Sequence, residues 1–212
     1  MNDTLIILGT AHRKREPGKQ SPDGRLREYL YSREICQDVE AILKYYGYNV
    51  VIDFLDADIP ASMQSSDVSV ERSRELNMRV KKVNELSKKY NKRVLYVSIH
   101  VDAISMDGKW HSAHGWSVRV SPKASMNSKL LAECLFDAAN SHELSVRQPL
   151  RTQKYWEQSL KVLNDTSCPA VLTENLFQDN KEDVDFLLSN EGRHEIAMLH
   201  VEGIIKYLKL NK

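Results

Sequence analysis

Short apolar runs alternating with helix-length amphipathic stretches constrain this chain more than any other feature. Leu5-Ile6-Ile7-Leu8, Val94 to Ile99 and Pro169-Ala170-Val171-Leu172-Thr173 are continuous enough to be buried strands, and the stretch Tyr48 to Phe54 around Val50-Val51-Ile52, second in chain order, reads as another strand. Between them, Ile35, Val39, Ile42, Leu43 and Tyr46 recur at helical spacing from about Glu28 until Gly47 stops the pattern. Leu76, Val80, Val83 and Leu86 mark a second helix running to about Tyr90, and Leu130, Leu131, Leu135 and Ala138 a third. Gly115 to Val120 reads as a further strand, 142 to 158 as irregular, and 182 to 208 as mostly helical. Strands separated by helices predict an α/β fold of three layers, α/β/α, around a mostly parallel sheet of about five to six strands. No repeat, low-complexity tract or linker interrupts the 212 residues, so a single domain over 1–212 is expected.

Bulk properties exclude several functions. With 30 basic and 29 acidic side chains the net charge is +1, so no global attraction to nucleic acid is expected. No segment approaches the roughly 20 apolar residues of a membrane span, and no secretory leader opens the chain. Synthesis in the cytoplasm is therefore expected, with any external substrate reached only after release. The 8 glycines are scattered singly, which disfavours a phosphate-cradling loop. Cys36, Cys134 and Cys168 lie far apart and read as small buried apolar residues. Oligomeric state is not legible.

Chemistry gathers where the apolar runs stop. The first, third and last lead into His12, His100 and Glu174. Ligands of open parallel sheets bind at the carboxyl ends of the strands, so residues distant in sequence would meet at one edge. A helix following a strand starts at that edge, which lets Glu28 join them. Two imidazoles and a carboxylate suit a catalytic zinc ion, which takes three protein ligands and keeps one position open. A remaining carboxylate could then move protons to and from water and a leaving group. Glu16 and Glu34 compete with Glu28 as the third ligand. His111 and His114 read as loop histidines, with an accessory role as the sharper alternative. Arg147, Arg151, Tyr155 and Trp156 lie on the irregular segment before the last strand, where arginine would suit a substrate carboxylate.

These residues fall in a recognisable order, and the chain resembles the zinc-dependent N-acetylmuramoyl-L-alanine amidases of the amidase-3 type over nearly its full length. Gly9-Thr10-Ala11-His12 matches the family's first turn, and Glu28 precedes Gly47 by the family's spacing. Leu76, Arg79 and Asn84 match a helical Leu-x-x-Arg-(x)4-Asn pattern. Ser98-Ile99-His100-Val101-Asp102 matches Ser-Ile-His-x-Asn, with Asp102 in place of asparagine. Pro169 to Asn180 matches Pro-Ala-Val-Leu-x-Glu-x-Gly-Phe-x-x-Asn, with Leu176 in place of glycine. Arg13 and Lys14 replace glycines after the first histidine, so that loop is expected to be reshaped or to present positive charge.

The resemblance implies a phosphorylase/hydrolase-like fold, one Zn2+ held by His12, Glu28 and His100, and Glu174 as general base and acid. It also implies a peptidoglycan substrate, cut between N-acetylmuramic acid and the L-alanine of the stem peptide. Arg151, Asp102 and Asn180 are candidate substrate contacts. With neither a leader nor a separate cell-wall-binding domain, a phage or prophage endolysin is the expected setting. The alternatives are a zinc carboxypeptidase of related fold and a catalytically inactive peptidoglycan-binding module.

Overall fold

The computed structural model describes residues 3–91 and 93–211. Its elements are β1 (Leu5–Thr10), α1 (Glu28–Tyr45), β2 (Asn49–Ile52), α2 (Val68–Lys89), β3 (Val94–Asp102), β4 (Ser117–Val120), α3 (Met126–Ser141), β5 (Trp156–Glu157), α4 (Lys161–Asn164), β6 (Ala170–Phe177), α5 (Lys181–Leu188) and α6 (Asn190–Leu210). The strands form one six-stranded sheet in the order β2-β1-β3-β6-β4-β5. The four strands from β2 to β6 in that order are parallel, whereas β4 runs antiparallel to β6, with β5 parallel to β4.

Alternation along the strands builds the layers. Ile6, Leu8, Leu95, Val97 and Val171 pack with Ile35, Val39 and Leu43 of α1, Leu131 and Leu135 of α3, and Ile196 and Ile204 of α6. Leu5, Ile7, Val94, Tyr96 and Leu172 face the other way, onto Val83 of α2 and Val162 and Leu163 around α4. The expected three-layer α/β/α fold is thus present. All three cysteines are buried and free, as their reading as apolar residues required.

Several boundaries differ from expectation. The apolar runs stop near His100 and Glu174, but the hydrogen-bonded ladder continues, so both residues lie inside strands. They are direct register partners, and a bulge follows at once between His100 and Asp102. Helix α2 begins at Val68, where the Asp67 side chain accepts from the Ser69 and Val70 amides. The C-terminal helical stretch is two helices, divided at Ser189, which caps α6 through the Gly192 amide.

A buried ionic chain ties α2 to the sheet. Asp53, wholly buried, accepts from the Thr10 amide at 2.9 Å, from Arg79 at 2.6 Å and from the Tyr96 hydroxyl at 3.2 Å. Arg79 also pairs with Glu75, and Glu75 with Arg13. Arg13 therefore turns inward, 3% exposed, and does not offer its charge to a ligand. Asn84, the last member of the helical pattern, holds the loop before β6 through the Asp165 carbonyl and the Ser167 amide. Asp53→Ala strands a buried guanidinium with one carboxylate fewer. It should destabilise the fold by about 3 kcal/mol or more, read from urea unfolding.

Candidate metal centre

His12, Glu28 and His100 meet at the carboxyl edge of the sheet. One donor atom from each lies within 4.8 Å of the other two. His12 follows β1 in the left-handed backbone region, at φ 43°, a conformation that persists only when its surroundings hold it. Arg33 of α1 does so: its guanidinium donates to the carbonyls of Ala11, His12, Tyr29, Leu55 and Asp56. Ser32 accepts from the Ala11 amide at 2.8 Å and donates to the Ile99 carbonyl at 2.6 Å, tying the turn to β3. Sequence reasoning missed both residues, because polar positions on an amphipathic helix ordinarily read as solvated.

Glu28, the first residue of α1, is 1% exposed. Its Oε1 lies 3.1 Å from His100 Nδ1 and accepts from the Val101 amide at 3.2 Å. Its Oε2 lies 3.3 Å from His12 Nε2 and 3.9 Å from Lys19 Nζ and, although buried, accepts no hydrogen bond. The outer ring nitrogens are held from behind, His12 Nδ1 by Glu16 at 3.0 Å and His100 Nε2 by Ser98 Oγ at 3.1 Å. Partners of that kind fix which nitrogen faces a metal. Glu16 thus occupies the far side of His12, where it also takes Arg72 at 2.6 Å. Glu34 pairs with Arg193. Of the three candidate carboxylates, Glu28 alone joins the cluster.

Burial disfavours charge on His12, but Glu28 and Glu16 outweigh it and raise the pKa to about 9. His100, more deeply buried, is lowered. Burial also opposes the Glu28 charge, yet the two imidazoles hold that carboxyl well below the ordinary range. The convergent nitrogens and orphaned oxygen fit a divalent cation. Ligands about 2.0–2.2 Å from zinc stand roughly 3–3.5 Å apart, the range of the 3.3 and 3.1 Å that separate Glu28 from the two rings.

Glu174 sits beside His100 in register on β6. Burial pushes its pKa up to about 8; Asp102 and Glu28 add to the rise, and Arg119 opposes it. Arg119 Nε donates to Glu174 Oε1 at 3.2 Å, whereas Oε2 is buried without a partner. Asp102, a candidate substrate contact, accepts from Arg119 at 2.7 Å and lies 3.6 Å from Arg147. Asn180 caps α5 through the Asp183 amide and donates to the His111 carbonyl, so its side chain is engaged within the fold. Arg151 is exposed in a turn. His111 pairs with Asp107 at 3.0 Å, and neither it nor His114 belongs to the metal cluster found among the described residues.

At one edge of the sheet, then, two imidazoles flank a buried carboxylate, with a second, elevated carboxyl alongside on β6. The chain belongs to the N-acetylmuramoyl-L-alanine amidase family Amidase_3, whose model matches residues 6–206. Among curated proteins it is 31% identical over 119 residues to an endolysin of Bacillus phage SPP1, covering 56% of this chain and 41% of that protein. It is 24% identical over 208 residues to the probable cell wall amidase LytH of Staphylococcus saprophyticus, covering 98% of this chain and 59% of that protein. The chain therefore spans less than two thirds of either relative.

Solved structures of the same fold include an N-acetylmuramoyl-L-alanine amidase from Clostridium difficile 630, at TM-score 0.79 and 20% identity over 100% of both chains. The CwlD amidase from Clostridioides difficile, in complex with the GerS lipoprotein, superposes at TM-score 0.77 and 21% identity, covering 98% of this chain and 99% of that one. Among the described residues no helix is long and apolar enough to cross a membrane.

Proposed function

We propose that the chain is a zinc-dependent peptidoglycan amidase that hydrolyses the amide between N-acetylmuramic acid and the L-alanine of the stem peptide. The observation that carries this reading is the convergence of His12, Glu28 and His100, one donor atom from each within 4.8 Å of the others, with the buried Glu28 carboxylate reaching one ring through each oxygen. Family membership supports the bond and the substrate. Among the described residues one sheet joins all six strands, which supports reading residues 1–212 as one catalytic domain.

His12, Glu28 and His100 would hold the ion, which supplies Lewis acidity, polarising the scissile carbonyl and making water more acidic. Glu174 accepts the proton of the attacking water and returns it to the departing alanine nitrogen. A carboxyl with a pKa near 8 suits both directions at neutral pH. A phage or prophage endolysin acting on the cell wall is the setting we propose, supported by the similarity to the phage SPP1 protein.

Mass analysis of digested peptidoglycan, with and without a chelator, tests this reading. The expected products are intact glycan strands and stem peptides with a free N-terminal alanine, absent when the chelator is present. Release of a C-terminal amino acid would point instead to a carboxypeptidase, and no release with zinc supplied to an inactive wall-binding module.

Two further results follow from the surroundings of His12. With its pKa raised to about 9, His12 is protonated at neutral pH in the metal-free protein, and that proton must leave when a metal binds. Calorimetry in buffers of different ionisation enthalpy should show about one proton released per zinc at pH 7, with affinity rising as pH climbs toward 9. Glu16→Gln should weaken zinc binding by roughly 10–100-fold in a competition titration, because it loosens the imidazole without removing a ligand.

A further inference from the structure

The structure assigns Arg119 as a positioning residue that aims Glu174, with Asp102 and Gln158 fixing Arg119 in turn; this assignment rests on the amidase reading above. Strand β4 runs antiparallel to β6, with Ser117 opposite Glu174 and Arg119 opposite Leu172. Period-two alternation therefore sets Arg119 and Glu174 on the same face of the sheet. Each nitrogen of the guanidinium has its own acceptor: Nε to Glu174 Oε1 at 3.2 Å, a terminal nitrogen to Asp102 at 2.7 Å, and the other to Gln158 at 3.1 Å. The fork is planar, so three bonds leave it little freedom to rotate.

This arrangement has a consequence for the carboxylate. A carboxylate without a fixed bond can turn about its last torsion and present either oxygen. Holding Oε1 commits Oε2, buried and without a protein partner, to the reaction. Charge matters as well. An arginine facing the base alone would weaken it as a proton acceptor. Asp102 takes the shorter bond, 2.7 Å against 3.2 Å, so the guanidinium is shared between two carboxyl groups rather than turned on Glu174 alone. A neutral asparagine in the position of Asp102 would accept the same bond without supplying a counter-charge to the guanidinium.

Steady-state kinetics of Arg119→Ala and Arg119→Lys on soluble muropeptide test the assignment. We expect kcat to fall roughly 10–100-fold in Arg119→Ala, the scale of a small misplacement of a reacting group. KM should stay within about twofold, and zinc affinity should be unchanged. Guanidinium ion added to Arg119→Ala should restore part of the lost kcat, and Arg119→Lys should fall between the two. In a Glu174→Gln background the same substitution should cost little more. A rise in KM with kcat intact, or an equal loss in the Glu174→Gln background, would overturn the assignment. A double-mutant cycle in unfolding provides a readout independent of turnover. Coupling between Arg119 and Glu174 is expected, and strict additivity would count against their contact. Wild-type protein that cleaves no muropeptide amide while showing this coupling would indict the amidase reading rather than the contact.

Discussion

Glu28→Gln is expected to abolish zinc binding and turnover together, with at least about a thousandfold loss of kcat/KM. Glutamine preserves the volume and can still accept the Val101 amide bond, so the fold should survive. What it removes is the negative charge between His12 and His100. That charge does two things in this geometry. It contributes the anionic donor a divalent ion needs, and it stabilises the protonated His12 of the metal-free protein. The signs are separable by pH. The Glu28 contribution to folding, which comes from a lowered carboxyl pKa, is present above the ordinary 4.5 and lost as pH falls through its folded value. The His12 contribution is present below 6.5 and lost as pH rises through about 9. Metal-free Glu28→Gln should therefore be less stable than wild type near neutrality, and the difference should narrow at both extremes. Metal analysis and thermal melts across pH check this. Retention of stoichiometric zinc by the variant would count against Glu28 as a ligand.

Glu174→Gln should produce the opposite dissociation, with zinc retained and catalysis lost. A general base contributes about 10²–10⁴-fold, so kcat should fall in that range with little change in zinc affinity. Removing the carboxylate also removes a burial cost. A carboxyl raised to about 8 penalises the folded state, with no penalty below its unfolded value and the full penalty above pH 8. The metal-free variant should therefore melt higher than wild type at pH 9, by at least about 2 °C, and no higher at pH 4. A variant that keeps wild-type turnover would remove Glu174 from the chemistry.

The fold was legible wherever burial leaves a continuous apolar signature. Leu5 to Leu8, Val94 to Ile99 and Ala170 to Leu172 are strands because both faces are covered, and their composition records it. Strand direction leaves no such record. Nothing in Ser117-Val118-Arg119-Val120 distinguishes a parallel from an antiparallel neighbour, and β5 is two residues long, too short for any period. His12, His100 and Glu174 stood out because polar groups closing apolar runs are costly without a partner. The same logic applies to Asp53, which follows Val50-Val51-Ile52 and sits at the centre of the buried ionic chain. Arg119 could have been noticed as a charged residue alternating with buried valines. Its destination could not, because an outward-facing position on an edge strand and an inward-facing one beside a catalytic carboxylate have the same period. The internal pairings of Arg13 with Glu75 and of Asp102 with Arg119 were not legible, since partners supplied by distant elements are invisible to local spacing.

The account depends on one cation held between two histidines and Glu28. An anomalous difference map at the zinc absorption edge, from crystals grown with zinc, tests it most directly. The prediction is a single strong peak bounded by His12 Nε2, Glu28 and His100 Nδ1, and its loss in Glu28→Gln. A map with no peak there, or with the ion bound elsewhere while these three groups keep their contacts with one another, would contradict it.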